Sequence, residues 1–157
     1  MTNNKLNIDS KAVLEYESYI REATNNNDTS AMYNIGIMHT TGELGEVNYA
    51  AAAEWHEKAA NLGLKEAQYN LGFMNDQGQG IKRDFEKAMQ LYLLAAKQGD
   101  PLAQHNIGAL YQNGEGVPVN ISEAKKWYAK ACSNGNEASC QLLENLSNKE
   151  EAQRFRA

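Results

Sequence analysis

The sequence repeats itself every 36 residues, and this constrains the chain more than any other feature. Ala31, Ala67 and Ala103 share the spacing, as do Asn34, Asn70 and Asn106, and Gly36, Gly72 and Gly108. Gly42, Gly78 and Gly114 keep the same register. So do Ala52, Ala88 and Ala124, then Ala59, Ala95 and Ala131, then Gly63, Gly99 and Gly135. Periods of roughly 20–50 residues mark units that cannot bury their apolar face alone and stack on copies of themselves.

Each unit reads as two helices. Helix A begins near Ser30, Glu66 or Leu102 and stops before Gly42, Gly78 or Gly114, where a residue without a Cβ can close the helix. A loop follows, Gly78-Gln79-Gly80-Ile81 in the second unit and Gly114-Glu115-Gly116-Val117 in the third. Helix B opens at Asn48, Asp84 or Asn120, whose side chains accept from the free N–H groups of a helix start. It closes at Gly63, Gly99 or Gly135. Gly99-Asp100-Pro101 reads as stop, N-cap and first helical residue.

Degenerate copies flank the three units. Tyr19, Ala23 and Asn27 lie 36 residues before Trp55, Ala59 and Gly63, which makes residues 10–27 a lone capping helix B. Ala138 and Gln141 follow Ala103 and Asn106 in nearly the same register, so residues 138–150 form a lone capping helix A. The expected organisation is one domain over 1–157. Its repeats are 31–66, 67–102 and 103–137, with a frayed tail at 151–157. The fold class is all-α, an α-α solenoid of helix pairs with about eight helices. Gly36, Gly72 and Gly108 sit inside helix A, where Gly costs up to about 1 kcal/mol against Ala. Their recurrence points to close helix contact. Ile35, Leu71 and Ile107 are expected to fill one recurring pocket, and Trp55, Leu91 and Trp127 another.

Composition narrows the partner. The net charge is −5, and the basic pairs Lys82-Arg83 and Lys125-Lys126 are diluted by Asp84, Glu86 and Glu123. A phosphate-binding surface needs a basic face, so neither nucleic acid nor an anionic membrane is the expected partner. No apolar run reaches the ~18 residues of a membrane span. The N-terminus lacks the apolar core of a secretory signal, so the expectation is a cytoplasmic protein, or a periplasmic or secreted one if a signal peptide has been removed.

Ala67-Gln-Tyr-Asn-Leu-Gly72, Gly78-Gln-Gly80-Ile81, Lys87-Ala88, Tyr92 and Ala95-Ala96-Lys-Gln-Gly99 together resemble the Sel-1-like repeat, a relative of the tetratricopeptide repeat. The resemblance covers roughly Ala31 to Leu146. It implies a right-handed superhelix of antiparallel helix pairs and an adaptor role in protein complexes. The chain departs from the family pattern at His39 and Asn75, where the family carries the Tyr that Tyr111 keeps. It departs again at Leu44, which replaces the second loop glycine.

The candidate binding residues lie on helix A. Asn34, Asn70, Asn106 and Gln141 form a same-slot series whose amides offer donors and an acceptor. By resemblance to tetratricopeptide repeats, they would hold a partner segment in a concave groove. The competing reading is that each amide holds its own repeat together. One turn on stand Met38, Met74, Leu110 and Asn145. The first three could cover apolar surface of a partner, although such a stripe is more often core. His39, His56 and His105 show no metal-ligand spacing and read as aromatic substitutes. No metal, cofactor or small-molecule substrate is expected.

Cys132 and Cys140 span the last loop. Their spacing is similar to that in secreted cysteine-rich relatives, where such pairs form disulfides. In a reducing cytosol, buried free thiols are expected instead, with a disulfide only if the chain is exported. The functional expectation is a non-enzymatic protein-interaction module or adaptor. Its acidic balance points to a partner with a basic patch. An immunity or inhibitor protein that neutralises a toxin by 1:1 binding is the alternative. A weaker one, from the same cysteine-rich relatives, is an exported β-lactam-binding protein.

Overall fold

A computed structural model of the chain describes residues 9–154, with side chains for 9–148. The described residues form eight α-helices and no strand. These are α1 (Ser10–Asn26), α2 (Thr29–Thr41), α3 (Tyr49–Asn61), α4 (Lys65–Gln77), α5 (Phe85–Lys97), α6 (Pro101–Asn113), α7 (Ile121–Ser133) and α8 (Glu137–Arg154). The all-α class and the alternation of A and B helices follow the expectation. The last helix runs to Arg154, past the expected end at 150, and residues 155–157 of the expected frayed tail lie outside the described residues.

The helix boundaries have local causes. Asn48, Asp84 and Asn120 accept at 2.9–3.0 Å from the backbone N–H three residues on, and so open α3, α5 and α7. Asp28 and Asp100 do the same for α2 and α6, and Asn136 for α8. Leu64 occupies the equivalent slot before α4 and makes no side-chain cap bond. Each helix A ends on a left-handed glycine: Gly42 at φ 76°, Gly78 at 69° and Gly114 at 77°.

The chain divides into two compact units, Met1–Arg83 and Asp84–Ala157. In the first, α1 packs on α2, α2 on α3 and α3 on α4; in the second, α5 packs on α6, α6 on α7 and α7 on α8. Small side chains let these helices approach. Ala52, Ala59 and Ala67 are fully buried in the first unit, and Ala88, Ala95, Ala103, Ala124 and Ala131 in the second. Ile35, Leu71 and Ile107 fill the recurring pocket expected of them. Burying each contributes roughly 1.5–3 kcal/mol.

The second recurring pocket belongs to the residue after the one expected. Trp55 and Trp127 are half-buried, each with a lysine ammonium (Lys58, Lys130) over its ring at 3.8 and 4.1 Å. The fully enclosed rings are His56, Tyr92 and Tyr128. Two of them explain the helix-A glycines. A Cβ on Gly36 would lie 2.5 Å from the His56 ring, and one on Gly108 would lie 2.7 Å from the Tyr128 ring.

A side chain that had not been singled out from the sequence ties successive helices together. Gln68 Nε2 donates to the Ala60 carbonyl at the end of α3, and Gln104 Nε2 donates to Ala96 at the end of α5, both at 3.3 Å. Gln104 Oε1 also accepts from Asn134 Nδ2 at 2.8 Å. One buried amide therefore bridges α5, α6 and the C-cap of α7. The 36-residue spacing of Gln68 and Gln104 is the signal that marks it in the sequence.

Candidate protein-binding face

Within the first unit, Asn34 on α2 and Asn70 on α4 are both half-buried, on helices that flank α3. Asn106 on α6 is half-buried in the second unit, and Gln141 on α8 is exposed. No side-chain hydrogen bond to Asn34, Asn70 or Asn106 occurs among the described residues. The side-chain bonds that join successive helices are made by Gln68 and Gln104.

The thioether stripe is corrected. Met38 and Met74 are 3% exposed and Leu110 is 1% exposed, so none can cover a partner. Helical geometry supplies the reason. A residue four positions on is rotated about 40° past the first, while one three positions on lies about 60° to the other side. The asparagines stand at the boundary of the buried stripe, so the i+4 neighbour turns into the core and the i+3 neighbour turns outward. The residues beside the amides are therefore Ile37, Phe73 and Ala109, followed by Thr41, Gln77 and Asn113. Phe73 is 36% exposed and stacks on Tyr69 with ring centroids 6.4 Å apart. Asn145 on α8, the polar member of the series, is exposed.

In the first unit the accessible residues are Ser30, Asn34, Ile37 and Thr41 on α2, and Glu66, Asn70, Phe73 and Gln77 on α4. In the second unit, described by itself, the accessible residues of α6 are Leu102, Asn106, Ala109 and Asn113. Glu66 carries the one formal charge among these twelve side chains. An uncharged face rich in amides matches the hydrogen-bonding groups of a peptide backbone better than it matches an ionic ligand.

His56 and His105 serve packing. His56 is 1% exposed, lies 5.5 Å from Tyr33 and has its pKa lowered to about 4 by burial. Its Nδ1 is buried without a hydrogen-bond partner. His105 Nδ1 lies 2.8 Å from the Oγ of fully buried Ser139, and its ring packs 5.5 Å from Tyr128. A serine enclosed in this way cannot meet a substrate. Burial lowers the pKa of His105, and of His39, from the usual 6.5. No cluster of three or more His, Cys, Asp or Glu suited to a metal ion occurs among the described residues. No helix among them is long and apolar enough to cross a membrane.

The expectation of buried free thiols is also corrected. Cys132 and Cys140 form a disulfide that links α7 to α8, with their Cα atoms 4.8 Å apart. Cys132 is half-buried, unlike Ala60 and Ala96 in the same slot. The tight Asn134-Gly135 turn between the helices brings the two thiols within bonding reach.

Helix pairs on a 36-residue period, joined by glycine-closed loops and stapled by a recurring amide, define an all-α helical-repeat protein. The Sel1 repeat profile matches residues 29–64, 65–100 and 101–136, more than half of the chain, and the chain belongs to the Sel1 repeat family. The matched repeats begin two residues earlier than the register expected from the sequence. Among solved structures the chain is similar to c5321, described as a protective antigen present in uropathogenic Escherichia coli strains and displaying an SLR fold. The identity is 36% and the TM-score 0.82 over 85% of this chain and 28% of that one. A Sel1 repeat protein from Oxalobacter formigenes is 27% identical, with a TM-score of 0.74 over 82% of this chain and 54% of that one. Helicobacter pylori cysteine rich protein B, at 23% identity and a TM-score of 0.63, shares the fold. The chain thus spans less than a third of the first relative and about half of the second. No curated protein sequence matches it. Sel1-repeat folds are commonly protein–protein interaction modules and are typically non-enzymatic scaffolds.

Proposed function

We propose that the chain is a non-enzymatic interaction module whose outward A-helix faces take an extended segment of another protein. The observation that carries this reading is the set of half-buried asparagines, Asn34, Asn70 and Asn106, which leave their amides uncommitted beside the accessible Ile37, Phe73 and Ala109. An amide on a rigid helix pays little ordering cost when it meets a peptide group. Phe73, backed by Tyr69, adds an aromatic anchor of the kind enriched at binding hot spots. The net charge of −5 favours encounter with a basic partner. The Cys132–Cys140 disulfide supports an oxidising compartment, periplasmic or extracellular, over the cytoplasm.

The test is affinity capture from the source organism with the wild-type chain, an Asn34→Ala/Asn70→Ala/Asn106→Ala variant and a Phe73→Ala variant, all matched for helicity and melting temperature. One protein held stoichiometrically by wild type, and lost from both variants, is the expected result. Equal retention by all three would move the binding face off the A helices. A captured toxin whose activity is suppressed at 1:1 would assign the module an immunity role rather than an adaptor role.

A further inference from the structure

The loop between α2 and α3 borders an open surface pocket of about 300 Å³ lined by His39, Leu44, Glu46, Val47 and Asn48. We propose that this pocket seats a lysine or arginine side chain of the partner protein, as a second contact separate from the amide face. The proposal rests on the reading of the chain as an interaction module and names one chemical feature of its partner.

The site is built by departures from the repeat. The first and third loops share a base: the Asn48 N–H donates to the His39 carbonyl at 2.8 Å, as the Asn120 N–H donates to the Tyr111 carbonyl at the same distance. Above that base the linings differ. Where the third repeat has Tyr111, Gly116 and Pro118, the first has His39, Leu44 and Glu46. The imidazole is smaller than the phenol ring of the same slot, which opens space. Leu44 replaces the second loop glycine and supplies an apolar wall. Val47 supplies another, its Cγ2 held 3.2 Å from where a Cβ on Gly42 would lie.

The polar groups of the pocket suit a cation on an alkyl stem. Glu46 makes no ion pair or hydrogen bond among the described residues, whereas the neighbouring Glu43 carboxylate is held by the Thr41 hydroxyl at 3.1 Å. The His39 ring packs edge-on against Tyr16 of α1 at 5.8 Å, and burial lowers its pKa, which disfavours the charged form. A neutral imidazole leaves one ring nitrogen as an acceptor. Leu44 and Val47 then flank the methylenes of a long basic side chain, which bury readily while the charged head stays on polar groups. An anionic head would meet Glu46. A purely aliphatic side chain would leave both acceptors unmatched.

The test uses the full chain, labelled with ¹⁵N and titrated with three blocked tripeptides: Ac-Gly-Arg-Gly-NH₂, Ac-Gly-Lys-Gly-NH₂ and the uncharged norleucine analogue. Saturable amide shifts confined to residues 39–48, given by the Arg or Lys peptide and not by norleucine, are expected. Glu46→Gln should weaken them about fivefold, the size of one exposed charge pair. Leu44→Gly, which restores the loop residue of the other repeats, should weaken them as well. Asn34→Ala/Asn70→Ala should leave them intact, which separates the pocket from the amide face: partner capture can fail while the peptide still binds, and the reverse. Absence of shifts, equal shifts from norleucine, or full retention in Glu46→Gln overturns the proposal. Binding of free spermidine more tightly than either peptide overturns the assignment to a protein side chain.

Discussion

Replacing Gly108 with alanine sets two effects of known sign against each other. Gly108 lies inside α6, where intrinsic propensity alone makes alanine better by about 1 kcal/mol. The added methyl would lie 2.7, 2.8 and 3.1 Å from Cε1, Cδ1 and Cζ of Tyr128, against the 3.5–4.0 Å or so at which carbon atoms rest. The ring cannot withdraw freely. It is 2% exposed, its hydroxyl donates to Gln112 Oε1 at 3.0 Å, and His105 packs on it at 5.5 Å. Overpacking of this kind costs about 1–3 kcal/mol, and displacing the phenol adds about 1 kcal/mol for the Gln112 bond. The net expectation is a destabilisation of roughly 1–3 kcal/mol. Urea unfolding followed by circular dichroism reads it directly, and a Gly108→Ala/Tyr128→Phe variant divides the cost between ring and hydroxyl. A single variant as stable as wild type, or more stable, would show that propensity governs this slot and that the close approach is not why glycine recurs there. Gly36→Ala provides an internal comparison: its methyl meets the smaller ring of His56, whose Nδ1 has no partner to lose.

Two further predictions concern titration and reduction. His56 falls from 6.5 to about 4 on folding, so between those values the unfolded chain binds more protons than the folded one. Stability is then fully present above pH 6.5 and is lost as the pH falls toward 4, by roughly 3 kcal/mol in total. The lowered pKa values of His39 and His105 act with the same sign. Chemical denaturation from pH 7.5 to 4 should show this slope, and His56→Tyr, which installs the ring of Tyr92 and Tyr128, should flatten it; an equal slope in that variant would rule out His56 as its source. The disulfide closes a short loop, its cysteines eight residues apart, for which the chain-entropy estimate is about 2–3 kcal/mol. Reduction, or Cys132→Ala/Cys140→Ala, should lower the melting temperature while leaving the far-ultraviolet spectrum helical. An unchanged melting temperature would mean that the Ser139–His105 contact and the α7–α8 packing hold the last helix without it.

Much of the fold was legible because the repeat sampled each structural decision three times. One glycine that closes a helix is weak testimony, but Gly42, Gly78 and Gly114 in one slot are strong, as are Asn48, Asp84 and Asn120 at the helix-B starts. Errors arose where repetition marked a slot without showing the direction of its side chain. Met38, Met74 and Leu110 recur because they are core, and Trp55 and Trp127 recur although the enclosed ring is one residue on. Periodicity identifies a face only when the phase of the burial arc is known, and an asparagine at the edge of that arc has a buried neighbour on one side and an exposed one on the other. The disulfide was expected only for an exported chain, for another reason. The thiols were assigned from a presumed compartment, while the geometry that pairs them lies in the turn at Asn134-Gly135.

The same logic shows where to look for what is particular to this chain. Residues that obey the repeat build the scaffold, and the stapling amides Gln68 and Gln104 do so as fully as the glycines. The asparagines also obey it, yet their side chains make no hydrogen bond among the described residues. Residues that break the repeat carry the individual chemistry: His39, Leu44 and Glu46 around the first loop, and the cysteine pair in the last. Uncommitted amides alone would offer a peptide backbone little discrimination between sequences. Discrimination needs a site that is not repeated. The first loop, whose pocket is lined by Glu46 together with Leu44 and Val47, is the candidate for such a site in the first unit.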